Sequence, residues 1–283
     1  MSDHATTFPR RQAGLAVILV LIVSGLAACA HIGGARIARI GDRRVEYALA
    51  GQGAPAVVLE NGLGARLDWW AKVFPEVARE TRIYAYNRAG TGDSDVASTP
   101  RDGNHIVEEL RQNLRASGIA PPYVLVGHSL GGLYMQLYAR RHPDEVAGLV
   151  LVDSTHPLQM QGAGGRDNWP AWANVAFDAI TSDAAKQELV ALPATGAELL
   201  ALPPLRGKPV IVLSAQKPMA ETSALARDAN AKRIDILRLN PGASRVWVDS
   251  GHDIPLEQPQ AVVAAIHEVL AQARRQMATH GAR

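Results

Sequence analysis

The sequence predicts an α/β fold: a mostly parallel sheet of about eight strands with helices on both faces and a helical cap insertion. Three observations predict it. Short apolar runs such as "AVVLE", "YVLVG", "GLVLVD" and "PVIVLS" recur along the chain, each bounded by turn residues. Helical patterns lie between several of them, and apolar runs alternating with helices are what a parallel sheet covered on both sides requires. One stretch, residues 155–206, has no such run. With 283 residues, 47% hydrophobic and 20% charged, the chain is long enough to bury a large core.

The first segment differs in composition from the rest. Arg10-Arg11 precede an uncharged apolar stretch from Ala13 to Ala28 that ends in small residues. A basic start, an apolar middle and a small-residue end mark an export signal. The end, Leu26-Ala27-Ala28-Cys29, resembles the lipobox of bacterial lipoproteins, in which the Cys is diacylated and becomes the first residue. Cys29 is the only cysteine in the chain, so no internal disulfide can form. Residues 1–28 therefore read as the signal, Cys29 as the lipidation site and residues 29–35 as a linker with little to bury. The resemblance implies a lipoprotein at the periplasmic face of a bacterial membrane. An uncleaved inner-membrane signal anchor is the alternative.

The main domain, residues 36–283, opens with "RIARI" and "RVEYALAGQG", two strands joined by Gly41-Asp42 as in a hairpin. "AVVLE" runs into Asn61-Gly62, and "RIYAYN" into Arg88-Ala89-Gly90-Thr91-Gly92-Asp93-Ser94. "NHIVEELRQNLRASG" carries Ile106, Val107, Leu110 and Leu114 at helical spacing and stops at Gly118. "YVLVG" precedes the helical "LGGLYMQLYARRHP", stopped by Pro143, and "GLVLVD" precedes the insertion. There the short helical patterns "WPAWANVAFDAI", "AAKQELVAL" and "GAELLAL" are punctuated by Gly162, Gly164, Gly165, Pro170, Pro193, Pro203 and Pro204. A cap reads this way, and so does an ordinary connection of two or three helices. "PVIVLS", "RVWVD" and a final helix, "PQAVVAAIHEVLAQARRQ", complete the chain.

Gly127-His128-Ser129-Leu130-Gly131 matches Gly-x-Ser-x-Gly with a strand before it and a helix after it, the context that this nucleophile motif requires. So sharp a turn leaves no room for bulk two positions away on either side. It lifts the Ser hydroxyl to the sheet's edge, where the positive end of the helix points. The Leu130 N–H, in the first turn, is then placed to bind a developing oxyanion.

At these residues the chain resembles an α/β-hydrolase of the single-domain, capped serine-esterase type, from about Arg36 to Gln276. The resemblance implies a second oxyanion donor after the third strand, usually in a His-Gly turn. Here Glu60-Asn61-Gly62-Leu63-Gly64 takes that place, so the donor carries over to the Leu63 N–H, with Asn61 bracing the turn. "YNRAGTGDSD" resembles the family's Asp-Arg-x-Gly-x-Gly-x-Ser signature, with Asn87 where Asp is usual. Its glycines shape a loop rather than bind phosphate, since no Lys follows them.

The family's catalytic base matches His252, in a Ser-Gly-His turn before the last helix. The other histidines fit less well: His128 should pack under the turn, His142 and His267 sit on helices, and His105 and His156 stay as pocket candidates. The acid is ambiguous. The family usually takes it after the seventh strand, where the first carboxylate is Glu221, but some relatives take it from the end of the sixth, here Asp153. Asp153 is preferred and Glu221 is the alternative acid, on the requirement that a carboxylate orient the imidazole.

The expected function is hydrolysis of small carboxylic esters through an acyl-enzyme. Amide or peptide hydrolysis, lactone opening and perhydrolysis are alternatives with the same triad, and an inactive membrane-tethered binding protein is another. Trp69, Trp70, Trp169 and Trp172 are candidates to line the pocket. No cofactor is expected, and the lone Cys and dispersed His show no zinc spacing. Lys plus Arg, 29, against Asp plus Glu, 27, with the basic residues scattered, gives no surface for nucleic acid.

Overall fold

The computed structural model describes residues 31–217 and 222–281, so the signal, Cys29 and Glu221 lie outside the described residues. Eight strands form one sheet: β1 (Arg36–Ile40), β2 (Arg43–Ala50), β3 (Ala56–Glu60), β4 (Ile83–Tyr86), β5 (Tyr123–His128), β6 (Val146–Val152), β7 (Val210–Ala215) and β8 (Ser244–Val248). Their order is β1-β2-β4-β3-β5-β6-β7-β8. β2 runs antiparallel to both its neighbours, β1 and β4, and the other pairs are parallel. The early hairpin thus feeds a parallel sheet, as the strand patterns predict.

The helices are α1 (Phe74–Ala78), α2 (Gly103–Ala116), α3 (Leu130–Arg141), α4 (Ala171–Ile180), α5 (Asp183–Ala201), α6 (Ala224–Leu239), α7 (Ile254–Glu257) and α8 (Pro259–Gly281). Successive strand residues point to opposite faces. Val58, Leu125, Leu149 and Leu151 accordingly pack with Leu110 and Leu114 of α2 and with Leu133 and Leu137 of α3. Val57, Leu59, Val124, Val126 and Val150 pack on the other face with Phe74, Ile266 and Leu270. Both faces of the central strands are apolar because both are covered.

Two details depart from the sequence reading. Ile32, in the expected linker, is buried in the second of these clusters, and its N–H donates to Asp68 Oδ1 at 3.0 Å. Pro193 does not end a helix: α5 runs through it. A proline inside a helix costs about 3 kcal/mol, since it lacks an N–H and crowds the carbonyl four residues back. Tertiary packing outweighs this cost here, because Glu188, Leu189, Leu192, Thr195, Gly196 and Leu199 are all buried along α5. Among the described residues between β6 and β7 there is no strand; α4, α5 and short 3-10 turns occupy the stretch.

Candidate active site

β5 and β6 lie side by side with His128 paired to Val152, and the next residue on each, Ser129 and Asp153, leaves its strand with a positive φ, 52° and 39°. Neither is glycine, so both positions hold conformations that L-residues rarely adopt. The ladder continues through them: the Ser129 N–H donates to Val152 O at 3.0 Å and the Asp153 N–H to Leu213 O at 2.9 Å. At Ser129 the strained backbone is enforced by close packing. A Cβ on Gly127 would meet Gly131 O at 2.4 Å, and one on Gly131 would meet Asn61 O and Glu60 O at 2.5 Å. No side chain fits either place.

Ser129 is the N-cap of α3, yet its side chain makes no capping bond. Its Oγ lies instead 2.9 Å from His252 Nε2, and His252 Nδ1 lies 2.7 Å from Asp153 Oδ2. An ionised carboxylate only accepts, so Nδ1 carries the proton and Nε2 is left to accept from the Ser hydroxyl. Asp153 Oδ1 also accepts from the Ala215 N–H at 3.1 Å and from Arg233 Nε at 2.8 Å. Burial alone would raise the Asp153 pKa; the bond from His252 and the Arg233 charge outweigh it and hold the carboxyl well below the usual range. Asp153 is thus a committed anion.

His252 sits in a loop, and the chain supports it from two sides. Glu257 accepts from the Gly251 N–H at 2.9 Å and the Ser250 hydroxyl at 3.1 Å. From beneath, His128 Nε2 donates to the His252 carbonyl at 3.0 Å. The His128 ring stacks on Trp69, 5.4 Å between centroids. Burial, with His252 close by, pushes the His128 pKa down to about 3, so the ring stays neutral beside His252.

Above Ser129 lies a cavity lined by Leu63, Leu130, Met160, Trp169, Phe177, Leu189 and Leu192, with Thr155 and Gln159 as its polar side chains besides Ser129. The two residues expected to supply oxyanion N–H groups, Leu63 and Leu130, therefore both border it. Leu130 is the first residue of α3, where an N–H has no partner within the helix. Asn61 Nδ2 donates to Tyr86 O at 2.8 Å and ties the turn after β3 to β4.

Of the four tryptophans expected in the pocket, only Trp169 lines it. Trp69 is turned under the elbow against His128, Trp70 is fully buried in the core, and Trp172 faces solvent. All three belong to short helices, whose inward faces are fixed by packing partners remote in sequence. His105 pairs with Asp102 at 2.7 Å, and His156 with Asp235 at 3.0 Å; neither lines the cavity. Sequence reasoning missed Arg233 and the support that Glu257 gives the His252 loop. No local signal marks Arg233, which lies 80 positions from its carboxylate. Among the described residues, no three His, Cys, Asp or Glu side chains gather as metal ligands would.

Comparison with known proteins agrees with this architecture. YqjL of Bacillus subtilis, a protein described as uncharacterized, is 26% identical over 240 residues, covering 81% of this chain and 88% of that protein. An AB hydrolase superfamily protein of Gibberella zeae is 31% identical, over only 35% of this chain and 32% of that protein. The enol-lactonase from Burkholderia xenovorans LB400 superposes with a TM-score of 0.61 at 20% identity, covering 83% of this chain and all of that one (100%). Residues 55–257 match the model of the alpha/beta hydrolase fold family, and with the sheet order and strand-to-helix elbow on the page, the chain belongs to that family.

Proposed function

We propose that the protein is a serine hydrolase of uncharged, apolar carboxylic esters. The observation that carries this reading is the hydrogen-bonded run Ser129–His252–Asp153 at the floor of an apolar cavity. Ser129 Oγ attacks the acyl carbon as His252 Nε2 takes its proton. The carbonyl π pair moves onto oxygen, held by the N–H groups of Leu63 and Leu130. The tetrahedral adduct collapses, the alcohol leaves with the proton from His252, and the acyl group stays on Ser129. Water, deprotonated by the same ring, then releases the acid and restores the hydroxyl. Asp153 stays ionised throughout and stabilises the imidazolium.

The walls of the cavity support this substrate class. None of the lining side chains carries a charge. A charged acyl or alcohol group would lose its hydration there without a partner, which is costly. An apolar chain gains about 0.8 kcal/mol per buried CH₂.

The test is a nitrophenyl ester panel of graded chain length, with an anilide, a lactone and a succinyl monoester as controls. Purified protein is expected to label with a fluorophosphonate, to cleave neutral esters with kcat/KM rising over the first few methylenes, and to turn over the charged ester at least about 10-fold more slowly. No labelling and no turnover would leave the binding-protein reading in its place. Faster cleavage of the anilide or lactone would move the activity to that bond.

We also propose that the domain is exported and tethered through a lipid on Cys29, on the strength of the apolar run and the residues before that Cys. Cys29→Ala is expected to abolish incorporation of a labelled fatty acid in a bacterial host. Equal labelling of both proteins would remove the lipid anchor and favour the signal anchor.

A further inference from the structure

One group of charges is buried at least as deeply as Asp153 and takes no part in the proton transfers above. The Arg88 side chain is 2% exposed, Glu60 0% and Glu188 1%. Glu60 ends β3, Arg88 follows β4, and Glu188 comes from α5, a hundred positions further along the chain. Arg88 meets Glu188 fork to fork, Nε to Oε1 at 2.8 Å and Nη2 to Oε2 at 2.7 Å. Nη1 donates to Glu60 Oε1 at 2.7 Å, and the Tyr86 hydroxyl takes the other Glu60 oxygen at 2.5 Å. The guanidinium lies over the Tyr134 ring, 5.3 Å from its centroid. Charges are kept this far from water only when paired, and breaking such a pair on one side is costly.

The remaining donors of Arg88 point to a task. Nη1 donates to Asn61 O at 2.6 Å and Nη2 to Gly62 O at 2.8 Å. The Gly62 carbonyl belongs to the same peptide plane as the Leu63 N–H. In a trans peptide the two point in opposite directions. A cation gripping the oxygen therefore aims the hydrogen the other way, and Leu63 borders the cavity above Ser129. The grip also polarises the peptide and strengthens its N–H as a donor. The elbow also packs closely on the same turn, since a Cβ at Gly131 would lie 2.5 Å from Asn61 O and Glu60 O. Both the elbow and Arg88 hold the turn.

We propose that Arg88 is a positioning residue that sets the Leu63 oxyanion peptide, and that Glu188, on the helix walling the cavity, holds Arg88 to that task. The inference rests on the reading of Leu63 as an oxyanion donor. Its consequence is that seating of α5 and stabilisation of the transition state are one event. Leu189, next to Glu188, lines the cavity, and so does Leu192 one turn on. The helix is closely docked: a Cβ on Gly90 would lie 2.6 Å from Ala184 Cβ, and one on Gly196 would lie 1.9 Å from Pro157 O. The wall that selects the substrate is thereby the wall that orients the oxyanion donor.

Removing an oxyanion donor outright costs about 10²–10³ in kcat, and a misplacement of about 1 Å costs about 10². Glu188→Ala is therefore expected to lower kcat about 10- to 100-fold with KM within threefold of wild type. Glu188→Gln keeps the shape and one acceptor and is expected to fall between the two, which serves if the alanine variant does not fold. The second readout is a pair of inhibitors on one carbon skeleton, an alkyl trifluoromethyl ketone and its alcohol. Only the ketone forms a hemiketal oxyanion with Ser129. Its affinity is expected to drop by the same factor as kcat, while that of the alcohol holds. Wild-type kcat and ketone affinity in folded variants would overturn the inference, as would equal losses for ketone and alcohol. A wild-type protein that neither cleaves esters nor binds the ketone would instead overturn the hydrolase reading beneath it.

Discussion

Ser129→Ala is expected to lower kcat on a short-chain ester by about 10⁶-fold, as removal of the nucleophile does in a serine protease of the same logic, and to abolish fluorophosphonate labelling. The size follows from what one oxygen does. In the proposed reaction Ser129 Oγ is the atom that would bond to the acyl carbon, and it already lies 2.9 Å from the nitrogen that would take its proton. Its side chain holds up no helix end, because it makes no capping bond. Alanine meets the same backbone demand at φ 52°, so the variant should melt close to wild type. Rate and stability are thus separable at this position. More than 1% residual activity in a folded Ser129→Ala protein would mean that the reaction does not pass through this hydroxyl.

Asp153→Asn is expected to cost about 10⁴-fold in kcat, the effect of the same change in a well-characterised triad. The amide would present an NH₂ to His252 Nδ1 where a carboxylate oxygen now accepts at 2.7 Å. The ring would answer by moving its proton to Nε2, which could then no longer accept from Ser129. The negative charge that steadies the imidazolium would go as well. Glu221→Gln, the comparison variant, is expected to stay within about twofold of wild type, since Asp153 already fills the place beside Nδ1. A larger loss for Glu221→Gln than for Asp153→Asn would transfer the role of acid to the loop after β7.

The strands, the elbow and the base turn were legible in the sequence because each is a local pattern: an apolar run, two glycines around a Ser, a His before a helix. The acid was not. In "LVDST" nothing distinguishes a carboxylate that orients an imidazole from one that merely ends a strand; the difference lies in His252, 99 positions away, and in Arg233 on α6. The tryptophans failed for a related reason. Trp69 and Trp70 are neighbours on one short 3-10 turn, and which way that turn faces is settled by His128 on one side and the core on the other. Pro193 misled because a local preference of a few kcal/mol was set against a whole buried helix face. Arg88 stood in plain view within a recognised motif, but its meaning depends on Glu188, which no neighbour of Arg88 announces.

The pairing of His128 with Val152 has one more consequence. Neighbouring strands stand about 4.8 Å apart, so the sheet itself is the ruler that spaces Ser129 from Asp153. Two of the three groups in the proposed relay hang from the ends of adjacent strands, and only His252 arrives on a loop. Surface connections can lengthen, shorten or change their chemistry without altering the gap between Ser129 and Asp153. In a lineage of such proteins, substrate preference would then be free to drift with the cap while the spacing of the reacting pair is inherited unchanged with the sheet.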